Sequence, residues 1–135
     1  MNTSKIDLHH FLLPNMYHPD NLKDYPLHLS HLVKGGAYNG YVVCSRDHPW
    51  FAMDPEQVPV SVHCGLTYGR SCEDITMSIP KKLRTEDYWI YGWDTLHSGD
   101  TIERWSEERV REENNSLYWQ FYEEMIKKLR DDKRV

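Results

Sequence analysis

The 135-residue sequence lacks several features that would assign it to a class. No apolar run approaches the roughly 20 residues that a helix needs to cross a bilayer, and neither end carries a signal peptide or a lipidation motif. The three cysteines, Cys44, Cys64 and Cys72, are odd in number and form no Cys-x-x-Cys pair. These absences predict a soluble cytoplasmic protein with reduced thiols and no membrane contact.

The charge pattern disfavours one class of partner, and the sequence also lacks the common catalytic motifs. The formal net charge is −5 at pH 7, and the basic residues are mixed with acids instead of gathering into a patch. Broad contact with nucleic-acid phosphates needs concentrated positive charge, so a nucleic-acid partner is disfavoured. A zinc-protease His-Glu-x-x-His motif, a nucleophile elbow and a phosphate-binding loop are all missing from the sequence.

Aromatic residues are what the sequence has in quantity. Only 39% of the residues are hydrophobic, but five are Trp and nine are Tyr, and each such ring buries roughly 150–250 Å². The length suits one domain with one core. We therefore expect a single α+β domain over residues 1–135, in which a mainly antiparallel sheet is covered by a long C-terminal helix.

Three stretches within residues 40–100 predict the sheet. Residues 40–45 are rich in β-branched and aromatic side chains. Over residues 59–68, valines alternate with polar residues as in a half-buried strand, which would put His63 opposite the valines. Residues 88–94 are nearly all large and apolar, as in a buried central strand, and Gly92 there marks a bulge or a close approach. A weaker strand signal lies at residues 75–79.

Residues 1–39 predict an irregular N-terminal wrap, because Pro14, Pro19 and Pro26 are too closely spaced for one long helix. Within this segment, residues 27–33 fit either an extended strand or a short helical turn. Histidines are frequent here, but their irregular spacing favours a solvated surface over a tetrahedral metal site. They are His9, His10, His18, His28 and His31.

Residues 106–131 predict the long helix. Ser106 can cap its first turn, while Trp105 and Val110 can pack across that turn as a hydrophobic staple. Acids near the start and bases near the end suit the helix dipole. The polar pair at residues 114–115 is the expected weak point, where the helix can bend. The stripe at helical spacing comprises Val110, Asn114, Leu117, Phe121, Met125 and Leu129.

Three segments, GYVVCSRDHPW, VSVHCGLTYG and YWIYGWDTLHSGD, span residues 40–100. Together they resemble a group of small bacteriophage and prophage proteins. The pattern of that group runs Gly-Tyr-Val, His-Pro-Trp, Val-His-Gly-Gly-Leu-Thr-Tyr and Gly-Phe-Asp-x-x-His-x-Gly-Asp. In this chain Cys64 replaces the first of the paired glycines, and Trp93 replaces the phenylalanine. The resemblance implies a phage origin and the host-cell cytoplasm, and it supplies no mechanism.

The matching segments also predict a polar cluster at one edge of the sheet, because strand ends and their loops converge there. Two imidazoles and two carboxylates can hold a divalent metal or share acid–base work, as in a hydrolase. A nucleotide-like ligand could instead stack on an aromatic ring. In a purely structural alternative the same polar groups cap turns and pack on aromatics. The candidate ligand-binding residues are His63, Thr67, Tyr68, Trp93, Asp94, His97 and Asp100.

Two further candidates stand apart from this cluster. His48 and Trp50 could present an aromatic anchor to a partner protein, although Trp is as common in protein interiors. Cys64 beside His63 looks like a nucleophile and its base. Adjacent residues of a strand point to opposite faces, however, so a strand at this position excludes direct proton transfer between them.

Three function classes remain. We expect a phage-type binding protein that engages and inhibits a host factor, a role that suits counter-defence, because small acidic proteins without a catalytic motif more often act by occupying surfaces. The alternatives are a binder of a nucleotide-like small molecule and a metal-dependent hydrolase. The hydrolase would use His63, Asp94, His97 and Asp100. The sequence indicates no particular cofactor.

Overall fold

The computed structural model describes residues 6–22 and 34–133. Its sheet is antiparallel, and the strand order is β1-β2-β4-β3. One long helix, α1 (Glu107–Lys133), follows the sheet and packs against β1 and β2. This architecture confirms the predicted α+β class with a C-terminal covering helix. The strands are β1 (Leu8–Pro14), β2 (Tyr38–Ser45), β3 (Tyr68–Ser71) and β4 (Tyr88–Trp93).

The central strands β2 and β4 are buried on both faces, which explains their nearly continuous apolar sequences. On one face, Val42 of β2 and Tyr91 of β4 lie opposite each other and pack against α1. On the other face, Val43 and its partner Ile90 pack against the segment 72–83. Residues 75–79 therefore supply core side chains without forming the predicted weak strand.

Helix α1 forms where its stripe and its cap predict it. The Ser106 hydroxyl accepts the Arg109 amide hydrogen at 3.2 Å, and Trp105 and Val110 are both buried. The helix is continuous through Asn114, so the expected weak point does not interrupt it. The described ranges contain no helix that combines the length and hydrophobicity of a membrane span.

Strand β1 corrects the prediction of an irregular wrap over residues 1–39. It pairs with β2 from Leu8 opposite Cys44 to Pro14 opposite Tyr38. As the outer strand of the sheet, β1 can end in a proline without losing a ladder hydrogen bond. The prediction for residues 27–33, and two of the histidines, lie outside the described residues.

The predicted strand at residues 59–68 is wrong except at its last residue, where β3 begins. The valines at 58, 60 and 62 pack on the core from an irregular segment. Side chains of α1 satisfy the backbone there in place of a neighbouring strand. The Gln120 amide binds both the N–H and the C=O of Ser61, at 2.7 and 2.8 Å. The Glu113 carboxylate accepts the His63 amide hydrogen at 2.8 Å.

Candidate functional site

The loop that follows β4, residues 94–100, is fixed to the chain before β2. The amides of Gly35 and Gly36 donate to the carbonyls of Asp100 and Thr95, each at 2.7 Å. The buried Thr95 hydroxyl donates to the Tyr38 carbonyl at 2.7 Å. Because both ends of the loop are held by backbone hydrogen bonds, its side chains are presented in one defined arrangement.

A histidine–carboxylate pair joins this loop to the irregular segment that contains His63. His63 Nε2 lies 2.9 and 3.1 Å from the two carboxylate oxygens of Asp100, which is only 4% exposed. One of those oxygens also accepts the His97 amide hydrogen at 3.0 Å. The His63 ring packs against Trp105, with 4.2 Å between ring centroids. Asp100 therefore orients the imidazole, while Trp105 fixes the plane of its ring.

A second pair, Asp94 and His97, lies next to the first. His97 Nε2 is 3.2 Å from Asp94 Oδ1, but the groups are not aligned for a hydrogen bond, and this buried nitrogen has no hydrogen-bond partner in the described residues. Asp94 accepts the Thr67 hydroxyl at 2.8 Å. The rings of His63 and His97 are 5.8 Å apart. The structure thus brings the four predicted polar residues together.

The residues of the predicted polar cluster do not line one common cavity, and His63 lines neither of the two cavities there. Thr67, Tyr68 and Asp94 line an open cavity of about 370 Å³, whereas His97 and Asp100 line a neighbouring one of about 730 Å³. Leu96 borders both cavities and separates them.

The predicted role of Trp93 as a stacking surface is corrected by its burial. Only 1% of Trp93 is exposed, although it borders the smaller cavity. Its indole N–H donates to the Asn114 side chain at 2.9 Å. Trp93 is therefore a core residue with a satisfied polar group, and Tyr68 offers the more accessible ring.

The predicted partner-binding anchor at His48 and Trp50 is also corrected. Both side chains are buried. His48 bonds through Nε2 to the Phe121 carbonyl at 2.9 Å, and its Nδ1 accepts the Trp50 amide hydrogen at 3.0 Å. Burial lowers the pKa of the His48 imidazole. These residues join the 46–50 turn to α1, so neither side chain is available as an exposed anchor.

A strand at residues 63–64 would exclude proton transfer between Cys64 and His63, but these two residues lie in a turn. The Cys64 sulfur is exposed and lies 3.8 Å from both ring nitrogens of His63. Cys64 has a φ of 56°, in the left-handed region that favours glycine, and Gly65 follows with 79°. In the sequence, Gly65 after Cys64 was the available signal for such a turn.

Exposed apolar side chains around the loop were not predicted. Leu96 and Ile102 are each 40% exposed, and they line the larger cavity together with Tyr17. A single exposed Leu is ordinary, and sequence alone cannot show that these three residues share one surface. We call Tyr17, Leu96, His97 and Ile102 the loop face.

The same region offers no complete metal site among residues 6–22 and 34–133, where no group of three or more His, Cys, Asp or Glu side chains is placed to hold an ion. The metal-dependent hydrolase hypothesis therefore lacks a ligand set there. Comparisons with protein-family models, with curated proteins and with solved structures find no match for this chain.

Proposed function

We propose that this protein acts by binding another protein through the loop face. The observation that supports the proposal is the exposure of Leu96, on a loop whose backbone is fixed, and of Ile102, two residues beyond that loop. Protein interfaces combine apolar anchors with a polar rim, and Lys34 and Glu103 border the same cavity as these two residues. The loop face supplies the apolar anchors, and these two charged residues beside it supply a polar rim.

The anchoring of the loop favours tight association. Binding through a mobile loop costs about 0.5–1.5 kcal/mol for each side chain that becomes immobilised. Here the backbone hydrogen bonds from Gly35 and Gly36, together with the buried Thr95, hold the loop before any partner arrives. A preorganised surface of this kind retains more of the interaction energy as affinity.

The proposed partner is a host-cell protein whose activity is inhibited by this contact. The basis for that part is the resemblance of residues 40–100 to small bacteriophage proteins. An inhibitor needs only a complementary surface, and the loop face supplies one without a catalytic group. The net charge of −5 would steer the protein towards a basic surface on its partner.

The test compares two disruptions of similar character at separate places. Leu96→Asp with Ile102→Asp places two charges in the loop face, whereas Trp119→Asp places one at another exposed apolar residue, 55% exposed on α1. Once a partner is identified by crosslinking in host cells, titration calorimetry with the purified partner gives each Kd. We expect the loop-face variant to bind about 100-fold more weakly, since one anchor contributes about 1–3 kcal/mol. Equal weakening by Trp119→Asp would contradict the proposal.

A small-molecule function is the second candidate, and the 370 Å³ cavity is the observation that favours it. A nucleotide-like ring could stack on Tyr68, with Thr67 and Asp94 supplying polar contacts. Adenosine and guanosine monophosphates would then raise the Tm of the protein, because a ligand bound only by the native state stabilises it. Asp94→Asn should reduce that increase. A Tm unchanged at millimolar nucleotide would remove this candidate.

A further inference from the structure

The turn at residues 63–65 holds a thiol beside a histidine whose other nitrogen is already occupied. Cys64 is exposed, and the turn is closed by the Gly65 amide, which donates to the Val62 carbonyl at 2.8 Å. Because Nε2 of His63 faces the Asp100 carboxylate at 2.9 Å, that nitrogen carries the hydrogen. The Nδ1 lone pair is then the one able to accept a proton from Cys64.

We propose that Cys64 is a nucleophile, that His63 is its general base, and that Asp100 is a positioning residue for His63. A base oriented by a third group beside a nucleophile is the arrangement that activates thiols. The sulfur is equally distant from the two ring nitrogens, at 3.8 Å, so it is not aligned with either lone pair. Proton transfer to Nδ1 therefore requires the Cys64 side chain to rotate. The proposal is independent of protein binding through the loop face.

The chemistry around the thiol indicates its substrate class. Cys64 lines an open cavity of about 710 Å³. Val60 and Leu66 give this cavity an apolar lining, and Asp54 and Glu56 border it with negative charge. Such a cavity suits an acyl donor, an ester or a thioester, that has an apolar body and no negative charge.

The reaction needs no further reactant. The Cys64 proton passes to His63 Nδ1, and the sulfur forms a bond to the carbonyl carbon of the acyl donor. The resulting tetrahedral intermediate collapses by breaking the bond from that carbon to the leaving oxygen or sulfur. The leaving group then takes the proton from His63, so the products are an acylated Cys64 and a free alcohol or thiol.

Several charged groups lie around His63. The 94–100 loop contributes Asp100 and His97. Helix α1 contributes Glu113, which binds the His63 amide. It also contributes Arg109, whose guanidinium lies over the Trp105 ring that contacts His63. These charges surround the proposed proton transfer from Cys64 to His63.

The first test measures acetylation by p-nitrophenyl acetate, with the modified residue located by peptide mass analysis. Cys44 and Cys72 are internal controls because both are buried, and burial raises the pKa of the Cys72 thiol to about 11. At pH 7 we expect Cys64 in the native protein to react at least about 10-fold faster than in the urea-unfolded protein, where thiols have a pKa of about 8.5. Equal rates would overturn the proposal without any variant.

Variants separate activation from simple exposure. His63→Gln should remove the rate advantage, and Asp100→Asn should shift the inflection of the pH–rate profile for Cys64 while circular dichroism shows a folded protein. If His63→Gln is folded and reacts as fast as the parent, the assignment of His63 as the base is wrong. An unshifted profile in folded Asp100→Asn would remove Asp100 as a positioning residue.

A separate measurement tests the proposed preference of the cavity for substrates without negative charge. Iodoacetamide is neutral and iodoacetate is anionic, so the acidic border of the cavity should make alkylation of Cys64 faster with iodoacetamide than the intrinsic reactivity of the two reagents predicts. Asp54→Asn with Glu56→Gln should return the ratio of the two rates to the value for the unfolded protein. A ratio unaffected by these substitutions would contradict the preference for uncharged or cationic donors.

Discussion

Asn114 is the residue whose replacement tests the packing of this fold most sharply. It lies on α1 and is 1% exposed. Its side-chain oxygen accepts the indole hydrogen of Trp93 in β4 at 2.9 Å. Its amide nitrogen donates to the carbonyls of Tyr41 in β2 and Phe11 in β1, at 3.1 and 3.3 Å. One polar side chain therefore joins the helix to three strands, at the position where the sequence predicted a weak point.

Asn114→Leu retains a side chain of similar size and favours the helix, but it cannot form these hydrogen bonds. The buried indole N–H of Trp93 loses its partner, which costs about 1–3 kcal/mol, and each of the two bonds to carbonyls contributes about 0.5–1.5 kcal/mol. We expect the free energy of unfolding to fall by about 2–6 kcal/mol. The neighbouring Asn115 is exposed, so Asn115→Leu should change that free energy by less than about 0.5 kcal/mol.

Equilibrium unfolding in urea measures this difference, and it applies directly if the m-value stays constant between variants. In the Trp93→Phe background, Asn114→Leu should lower the free energy of unfolding by less than it does in the parent, because no buried indole donor is then left unsatisfied. If Asn114→Leu and Asn115→Leu unfold with free energies within about 0.5 kcal/mol of each other, the hydrogen-bond network does not hold helix and sheet together.

Other substitutions test separate features. Cys64→Gly should raise the free energy of unfolding by about 0.5–1 kcal/mol in urea titrations, because a left-handed φ of 56° is unfavourable for any residue with a Cβ atom; a lower value would show that the turn is unstrained. Gly40→Ala should lower the free energy of unfolding by more than about 2 kcal/mol, since the added Cβ would collide with the Trp93 indole nitrogen and lie 2.5 Å from Asn114 Oδ1. An unchanged free energy of unfolding would contradict the close approach of the Gly40 backbone to these two side chains. Burial lowers the pKa of the His48 imidazole from its usual 6.5, so as the pH falls below about 6.5 the unfolded state binds more protons at His48 than the folded state does. The contribution of His48 to the free energy of unfolding is therefore complete above about pH 6.5 and is lost as the pH falls. The Tm of the parent should therefore decrease more steeply from pH 7 to 5 than that of His48→Gln, and parallel curves would refute this role.

The elements predicted correctly are those encoded by local signals. Helix α1 follows from its cap at Ser106 and from side chains three and four residues apart, all within one segment. Strands β2 and β4 follow from apolar runs bounded by turn residues. Strand β1 was missed because its sequence, LHHFLLP, lacks a period of two. Its strand conformation comes from pairing with β2, which a local pattern does not reveal.

The sequence predicted which residues form the candidate site but not how they are arranged. His63 and Asp100 are 37 residues apart and meet because two loops converge near the end of β4. Such convergence is expected in general, because strand ends and the loops that follow them lie at the same edge of a sheet. The valine alternation at 58–62 indicated a strand, but no strand in the described ranges pairs with this segment. Its long-range backbone hydrogen bonds, at Ser61, and the one at the following His63 go to Gln120 and Glu113 on the distant helix. The turn that puts Cys64 beside His63 depends on two positive φ angles, which residue spacing does not specify.

Protein binding through the loop face is tested most directly by site-specific photocrosslinking in the host cell. A benzophenone amino acid at Ile102 would lie on the loop face, and the same group at Trp119 would lie on α1 as the matched exposed control. We predict one discrete protein adduct from position 102, lost when Leu96→Asp is added, and no such adduct from position 119. The same adduct from both positions, or an adduct from position 119 alone, would contradict binding through the loop face.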